Sequence, residues 1–435
     1  MVFHKLSTYN TNIKMKILWI TNMLFPEVMI KVGLTSGTSG GWMFDIADGL
    51  SQKPDIELAI ASTYNGSEFR KEVVNNKIYY MMPGGGKSLL LYDKKLIPYW
   101  QRIENEFQPD IVHLHGTEYK HGLVYMDTYP NKCFLLTIQG IMGPITREYW
   151  AGLGFRDLLR TLNWNEFKRG KSIFADKYLA HTRALSEERI IKRVGYLTGR
   201  SDWDKAMLAE INPKARYFRC NYNLRSEFYS APKWSPNSME RYTIYGSTAL
   251  QTSYKGGESL IKAVALVKDI YPQVKVKALL PGSKNGQFYV KTGYNKLVKY
   301  WLDKLQLWDN FEFIPALSAQ GVIDTMLKCH CCVIPSAIEN ASSTLREAMH
   351  LGVPSIAAFR GGMTHLIDDR VNGFFFDYPE YPVLAMRIME LFQSDELCIN
   401  LSKNAIEKAE TWHDRKQNVE SMYNVYNTIV KQHKQ

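Results

Sequence analysis

Apolar residues along this chain fall in short dense runs separated by longer amphipathic stretches. The first run, Lys16-Ile17-Leu18-Trp19-Ile20, reads as a buried strand. Similar runs recur at Ile56 to Ala61, Ile78 to Met82, Ile111 to Leu114 and Cys133 to Ile138. A Gly-containing loop over 35–41 leads into 42–50, where apolar positions take helical spacing. Residues 147–185 read as helical, and 194–204 as a strand and its turn. Pro, Ser and Asn gather over 230–238, the composition of an interdomain linker.

The alternation then starts again. Strands are predicted at Tyr242 to Gly246, Val274 to Leu280, Phe311 to Ile314, Cys331 to Ile334 and Ser355 to Ala358. Helices are predicted at Ser259 to Ile270, Tyr294 to Leu305, Gly321 to Leu327 and Ser343 to His350, with more over 395–433. Strands alternating with helices imply parallel sheets covered on both faces. At 435 residues the chain exceeds one ordinary core. The expected fold is therefore α/β, with two Rossmann-like domains facing a central cleft. Their expected bounds are 1–230 and 231–409, and a C-terminal helix at about 410–435 is expected to pack back on the first.

Composition changes this picture little. Apolar residues make up 45% and charged residues 22%, ordinary values for a globular protein. No run of eighteen or more apolar residues occurs to span a membrane, and the N-terminus lacks a secretory pattern. The expected location is cytoplasmic. Residues 1–14 precede the first strand as an extension or an upstream start. Cys329-His330-Cys331-Cys332 suggests a metal, but adjacent strand residues point to opposite faces and cannot converge tetrahedrally. Buried free thiols are expected there, and no metal site.

The formal charge is +11. Residues 1–230 hold 31 Lys and Arg against 23 Asp and Glu, and 156–200 alone hold 11 against 5. A basic face attracts phosphates, nucleic acid or anionic lipid heads, and it also fits a plainly solvated helical surface.

The chemistry concentrates in Pro335-Ser336-Ala337-Ile338-Glu339-Asn340-Ala341-Ser342-Ser343-Thr344-Leu345-Arg346-Glu347-Ala348-Met349. This string leaves the carboxyl end of a predicted strand and enters a helix, the edge where open α/β sheets bind ligands. Small Ala341, Ser342 and Ser343 let backbone approach a ligand, and free N–H groups at the helix start suit a diphosphate. Glu347, one turn into the helix, suits two ribose hydroxyls. Glu339 suits sugar hydroxyls. Thr344 and Glu347 also have the spacing of a capping box.

The string resembles the E-x7-E signature of family 4 (group 1) glycosyltransferases, including bacterial polysaccharide-assembly members. The match extends through Gly352-Val353-Pro354 and Gly361-Gly362 to Val371-Asn372-Gly373-Phe374. That family has the GT-B fold and retains anomeric configuration, generally without a bound metal or cofactor. The resemblance implies a donor site of Gly40, Gly41, Gly246, Lys255, Glu339, Asn340, Ala341, Ser342, Ser343, Thr344 and Glu347. Lys255 would neutralise the leaving diphosphate, which would deprotonate the acceptor hydroxyl. Ser247 stands where many members carry an arginine, and His365 where an acidic residue is frequent.

Asp110-Ile111-Val112-His113-Leu114-His115-Gly116 resembles the family's first-domain motif. An isolated histidine reads as a satisfied core residue. The motif instead implies that His115, with Lys255 and Glu339, serves catalysis. Arg200 and Asp202, in Gly199-Arg200-Ser201-Asp202, either line the cleft on the acceptor side or form a structural ion pair.

The implied partners are a UDP- or GDP-type nucleotide sugar and a glycan or lipid-linked acceptor, at an anionic inner membrane face the chain touches peripherally. No nucleic-acid motif is visible. A GT-B-fold nucleotide-sugar epimerase and a non-catalytic sugar or nucleotide binder remain the alternatives. A dehydrogenase fits poorly, because no G-x-G-x-x-G follows the first strand.

Overall fold

The computed structural model describes residues 14–35, 41–280 and 287–433. Two sheets organise them. The first holds β1 (Met15–Ile20), β2 (Ile56–Tyr64), β3 (Arg70–Val74), β4 (Lys77–Pro83), β5 (Ile111–His115), β6 (Phe134–Thr137), β7 (Tyr196–Gly199) and β8 (Arg216–Arg219). Their order is β3-β4-β2-β1-β5-β6-β7-β8. Only β3 runs antiparallel, against β4. The second sheet is wholly parallel and holds β9 (Glu240–Ser247), β10 (Lys275–Leu279), β11 (Phe311–Ile314), β12 (Cys329–Ile334), β13 (Ser355–Ala358) and β14 (Phe374–Phe376). Its order is β11-β10-β9-β12-β13-β14.

Central strands are buried on both faces, so they read as unbroken apolar runs. Every residue of β5, β12 and β13 is buried. Cys331 and Cys332 lie inside β12, and burial pushes both thiols well above their ordinary pKa. His330 instead accepts from Tyr242 N at 3.3 Å and meets Leu391 O at 3.1 Å. Leu224, Phe228 and Trp234 already pack in the second core.

Residues 147–185 differ from the helical expectation. They break into short helices at Phe155–Arg160 and Trp164–Phe167 before the long helix Ile173–Ile191. The reason is local capping: Asn163 accepts from Asn165 N, and Ser172 accepts from Ala175 N. Each cap starts a new helix where periodicity alone would continue the old one.

The helix Arg415–His433 packs against Gly41–Ser51 of the first unit. Its Tyr426 hydroxyl accepts from Trp19 Nε1 at 2.7 Å and meets His113 Nδ1 at 2.6 Å. The chain thus crosses between the units more than once, and the carboxyl ends of both sheets border one cleft.

Candidate functional site

The second wall of the cleft is one folded string. Beyond β12 the chain turns through 335–342 and enters the helix Ser343–Leu351. Ser342 caps that helix by accepting from Leu345 N. The reciprocal cap expected of Thr344 and Glu347 does not form, because the helix starts too early for Thr344 to be its cap. Lys255 sits in a tight turn, Ser253–Lys255, just ahead of the helix Gly257–Lys268. Ala337 N donates to Tyr254 O at 2.8 Å, which clamps this turn to the 335–342 loop. Lys255 Nζ is ion-paired with Glu339 Oε1, and Ser336 Oγ donates to the same oxygen at 3.1 Å. Burial pulls the Lys255 ammonium down, but Glu339 and Tyr254 together outweigh it and leave its pKa raised.

Two glycines are required here by close approach. Gly256 has φ +77°, and a Cβ on it would stand 1.8 Å from Pro335 O. A Cβ on Gly362 would stand 1.6 Å from Asn340 O. Gly362 N also donates to Glu339 O at 2.9 Å, so the Gly361-Gly362 turn supports the loop from beneath. Gly246 has a different role: its missing side chain makes room for Leu260 and Val276, which is core packing.

Glu347 faces a cavity of about 300 Å³ that it shares with Ser343, Thr344 and Arg346. Leu279, Ile314, Pro315 and Leu317 form its apolar side, and Gly41 and Trp42 close it from the first domain. Arg225 holds Glu347, with Nε donating to Oε1 at 3.0 Å. Burial raises the Glu347 pKa, and Arg225 partly offsets this. A Cβ on Gly41 would meet Arg225 Cγ at 2.7 Å, so that glycine is set by the Arg225 side chain. Gly40 lies outside the described residues.

The first wall is aromatic and poorly satisfied. His115 ends β5 and packs on Trp19, with ring centres 4.1 Å apart, and lies 6.0 Å from Trp42. It is 4% exposed, and neither ring nitrogen has a partner among the described residues. Burial pulls its pKa to about 3, so it is neutral at neutral pH. Its neighbour His113 differs: both nitrogens are engaged, by Tyr426 and Thr137.

Arg200 and Asp202 are not a pair. Asp202 is exposed and bound to Arg219, which also meets His365 Nε2 at 3.1 Å. Arg200 is buried, donates to Ile138 O and Gln139 O, and lies over the Tyr222 ring at 4.2 Å. Arg200 follows the end of β7, whereas Asp202 already opens the helix Asp202–Ile211 behind the Ser201 cap, so the two side chains leave different elements. Asn340 spans the cleft, donating to Gln139 O at 2.9 Å.

Three participants carry no signal in the sequence. Arg225 lies in a short connection far from Glu347. Trp42 follows the glycine loop and stacks on Tyr222 at 4.2 Å. Arg346 precedes Glu347 on the helix, is 4% exposed, and its Nε has no partner among the described residues. Burial, with the charge of Arg200, pulls its pKa to about 10.

The group 1 glycosyl transferase family model matches residues 232–408. This chain carries a group 1 glycosyl transferase domain. The domain contains β9 to β14, Lys255 and the whole 335–362 string. Similar curated proteins include the D-inositol 3-phosphate glycosyltransferase of Corynebacterium glutamicum (strain R), 24% identical over 173 residues, which are 39% of this chain and 40% of that one. An uncharacterized glycosyltransferase of Methanocaldococcus jannaschii is 28% identical over 231 residues, 50% of this chain and 65% of that one. The chain thus spans well under two thirds of the first of these relatives. Likeness of fold extends much further. Sucrose-phosphate synthase from Thermosynechococcus elongatus superposes with a TM-score of 0.71 at 14% identity, covering 96% of this chain and 99% of that one. Anabaena HepE in complex with UDP and glucose gives 0.64 at 15% identity, covering 95% and 99%. The fold is GT-B, with two Rossmann-like domains.

Proposed function

We propose that this protein is a retaining glycosyltransferase that moves a sugar from a nucleotide-diphosphate donor to a hydroxyl acceptor. The observation that carries the reading is the Lys255–Glu339 pair just ahead of the Glu347 helix, whose Ser343, Thr344 and Glu347 line a cavity with one apolar side. The base lies against Ile314, Pro315 and Leu317, and Glu347 accepts from the ribose hydroxyls. The N–H groups of Ser343 and Thr344 face the diphosphate. Lys255 neutralises charge on that diphosphate as the glycosidic bond breaks, and the diphosphate takes the acceptor proton. Glu339 is left to accept from sugar hydroxyls. Neutral His115 offers a hydrogen bond to the same sugar rather than a charge. Arg346 supplies the second cation that Ser247 does not.

HepE is held with UDP and glucose, which favours UDP-hexoses over GDP-sugars as the first donors to assay. The acceptor is a glycan or lipid-linked saccharide of cell-surface polysaccharide synthesis, reached from the cytoplasmic side at an anionic membrane face. No helix among the described residues is long and apolar enough to cross a membrane. The test is turnover of Lys255→Ala and Glu347→Ala with a panel of nucleotide sugars. Both should lose transfer while staying folded; full activity in both would remove the site assignment.

A further inference from the structure

Residues 148–171 leave the first domain and reach the second, and the two faces of this strap differ in kind. The inner face is pinned to the second domain. Ser253 Oγ donates to Tyr149 O, and the Tyr378 hydroxyl donates to Ala151 O at 2.8 Å. Lys296 Nζ donates to Leu162 O at 2.9 Å. The Glu166 carboxylate accepts from Gly293 N at 2.6 Å, where the helix Gly293–Lys304 begins. Asp157 pairs with Arg160, whose guanidinium lies 4.1 Å over the Tyr300 ring. Both carboxylates of residues 155–171 are therefore buried and in use.

The outer face of 155–171 carries no carboxylate at all. Phe155 is 76% exposed, Trp164 68% and Phe167 70%. Trp164 and Phe167 stack with ring centres 5.6 Å apart. Arg156, Lys168, Arg169 and Lys171 stand exposed among them. The patch continues onto the helix Ile173–Ile191 through Trp150, which packs edge-on against Phe174 at 5.2 Å beneath Lys177. Tyr178 is exposed there, with Asp176 as the one exposed acid at the edge.

Single exposed apolar residues need no explanation, but three large aromatics interleaved with four cations do. We infer that this strap is a docking surface for the headgroup region of an anionic lipid bilayer. Aromatic tips settle at headgroup level, and a ring of Lys and Arg is drawn to acidic lipids. A protein partner would have to set carboxylates opposite each cation, whereas a bilayer presents anionic heads over its whole area. The inference deepens the reading of a lipid-linked acceptor and rests on it for its purpose. The Tyr149 ring stands 5.6 Å from Tyr254, the neighbour of Lys255, so the strap joins the proposed catalytic lysine to the membrane plane.

The test is co-sedimentation of the full chain with phosphatidylcholine vesicles, with and without a minority of phosphatidylglycerol. The wild type should bind the anionic vesicles at about 0.1 M salt and release them at about 0.5 M. The double variant Trp164→Ser/Phe167→Ser should lower partitioning about tenfold or more, and Lys168→Glu/Arg169→Glu/Lys171→Glu about a hundredfold. Brominated lipid should quench the wild type, and Trp164→Phe should lose most of that quenching while still binding. Nucleotide binding by each variant serves as the folding control. No binding by the wild type at low salt, or variants that bind like it, would overturn the proposal. So would variants that dissolve a wild-type oligomer while no form of the protein binds vesicles. Vesicle binding needs no turnover. Intact docking without transfer to any lipid-linked acceptor would uphold the surface and remove the acceptor reading instead.

Discussion

The two walls of the cleft are built on opposite plans. On the second wall, Lys255 is answered by Glu339, Glu347 by Arg225, and the helix start by Ser342. On the first wall, His115 leaves both nitrogens without partners among the described residues, and Arg200 its Nε. A buried polar group without a partner costs stability, so it persists where a ligand supplies the missing bond. On the function proposed above, the second wall is pre-organised for one part of the substrate, while the first is completed on binding. Arg346 and Asn340 are exceptions: both rise from the second wall, yet Arg346 Nε and Asn340 Oδ1 share the unmet state of the first.

The sharpest way to break this contrast is Lys255→Ala. It should lower kcat about 100- to 1000-fold in a transfer assay, since it removes charge stabilisation from the leaving group. Glu347→Ala should come next. It leaves the half-buried Arg225 without its carboxylate and should cost about 2–3 kcal/mol in both stability and nucleotide affinity, read by denaturant melts and calorimetry. Gly362→Ala forces a Cβ against Asn340 O and should cost about 2 kcal/mol, with loss of the second wall's order in hydrogen exchange at 335–342.

A smaller effect separates the walls by pH. The folded pKa of His115 is about 3, and that of an unfolded histidine about 6.5. Its stabilisation is complete above the unfolded value and is lost as pH falls toward the folded one. The cost reaches about 2 kcal/mol by pH 5, and His115→Phe should flatten the acid limb of the stability curve by that share. Least of all, Arg346→Met should raise Tm by about 2–4 °C while weakening nucleoside diphosphate more than nucleoside binding. Equal loss of both ligands would return Arg346 to a structural role.

What was legible in the sequence follows from the same physics. Central strands are apolar on both faces, so β1, β5, β12 and β13 appeared as runs. The strand β3 did not, because Arg70–Val74 lies at an exposed sheet edge. A signal was present there all the same: Asn75 and Asn76 have φ of 49° and 61°, the two-residue hairpin turn that Asn favours. The second wall was legible because its parts, apart from Lys255, lie in one stretch from 335 to 362. The first wall was legible only in part: His115 and Arg200 stand in recognisable motifs, whereas Trp42 and Tyr222 come from separate segments that only the fold brings beside them. Arg225 likewise meets Glu347 across 122 residues. The strap was misread because helical spacing says nothing about where Asn163 and Ser172 restart the helix.

Tyr426 joins Trp19 to His113 inside the first domain, yet it belongs to the helix Arg415–His433. On the ribosome, the earliest part of the chain therefore emerges without the hydroxyl that its own core requires. The first domain must wait, with β1 and β5 facing an empty groove, until the helix Arg415–His433 has been synthesised. The second domain, whose core runs from Leu224 to Ala409, can close before that. Order of synthesis and order of completion are thus reversed, and a nascent chain halted ahead of residue 415 should expose its N-terminal half to chaperones and proteases.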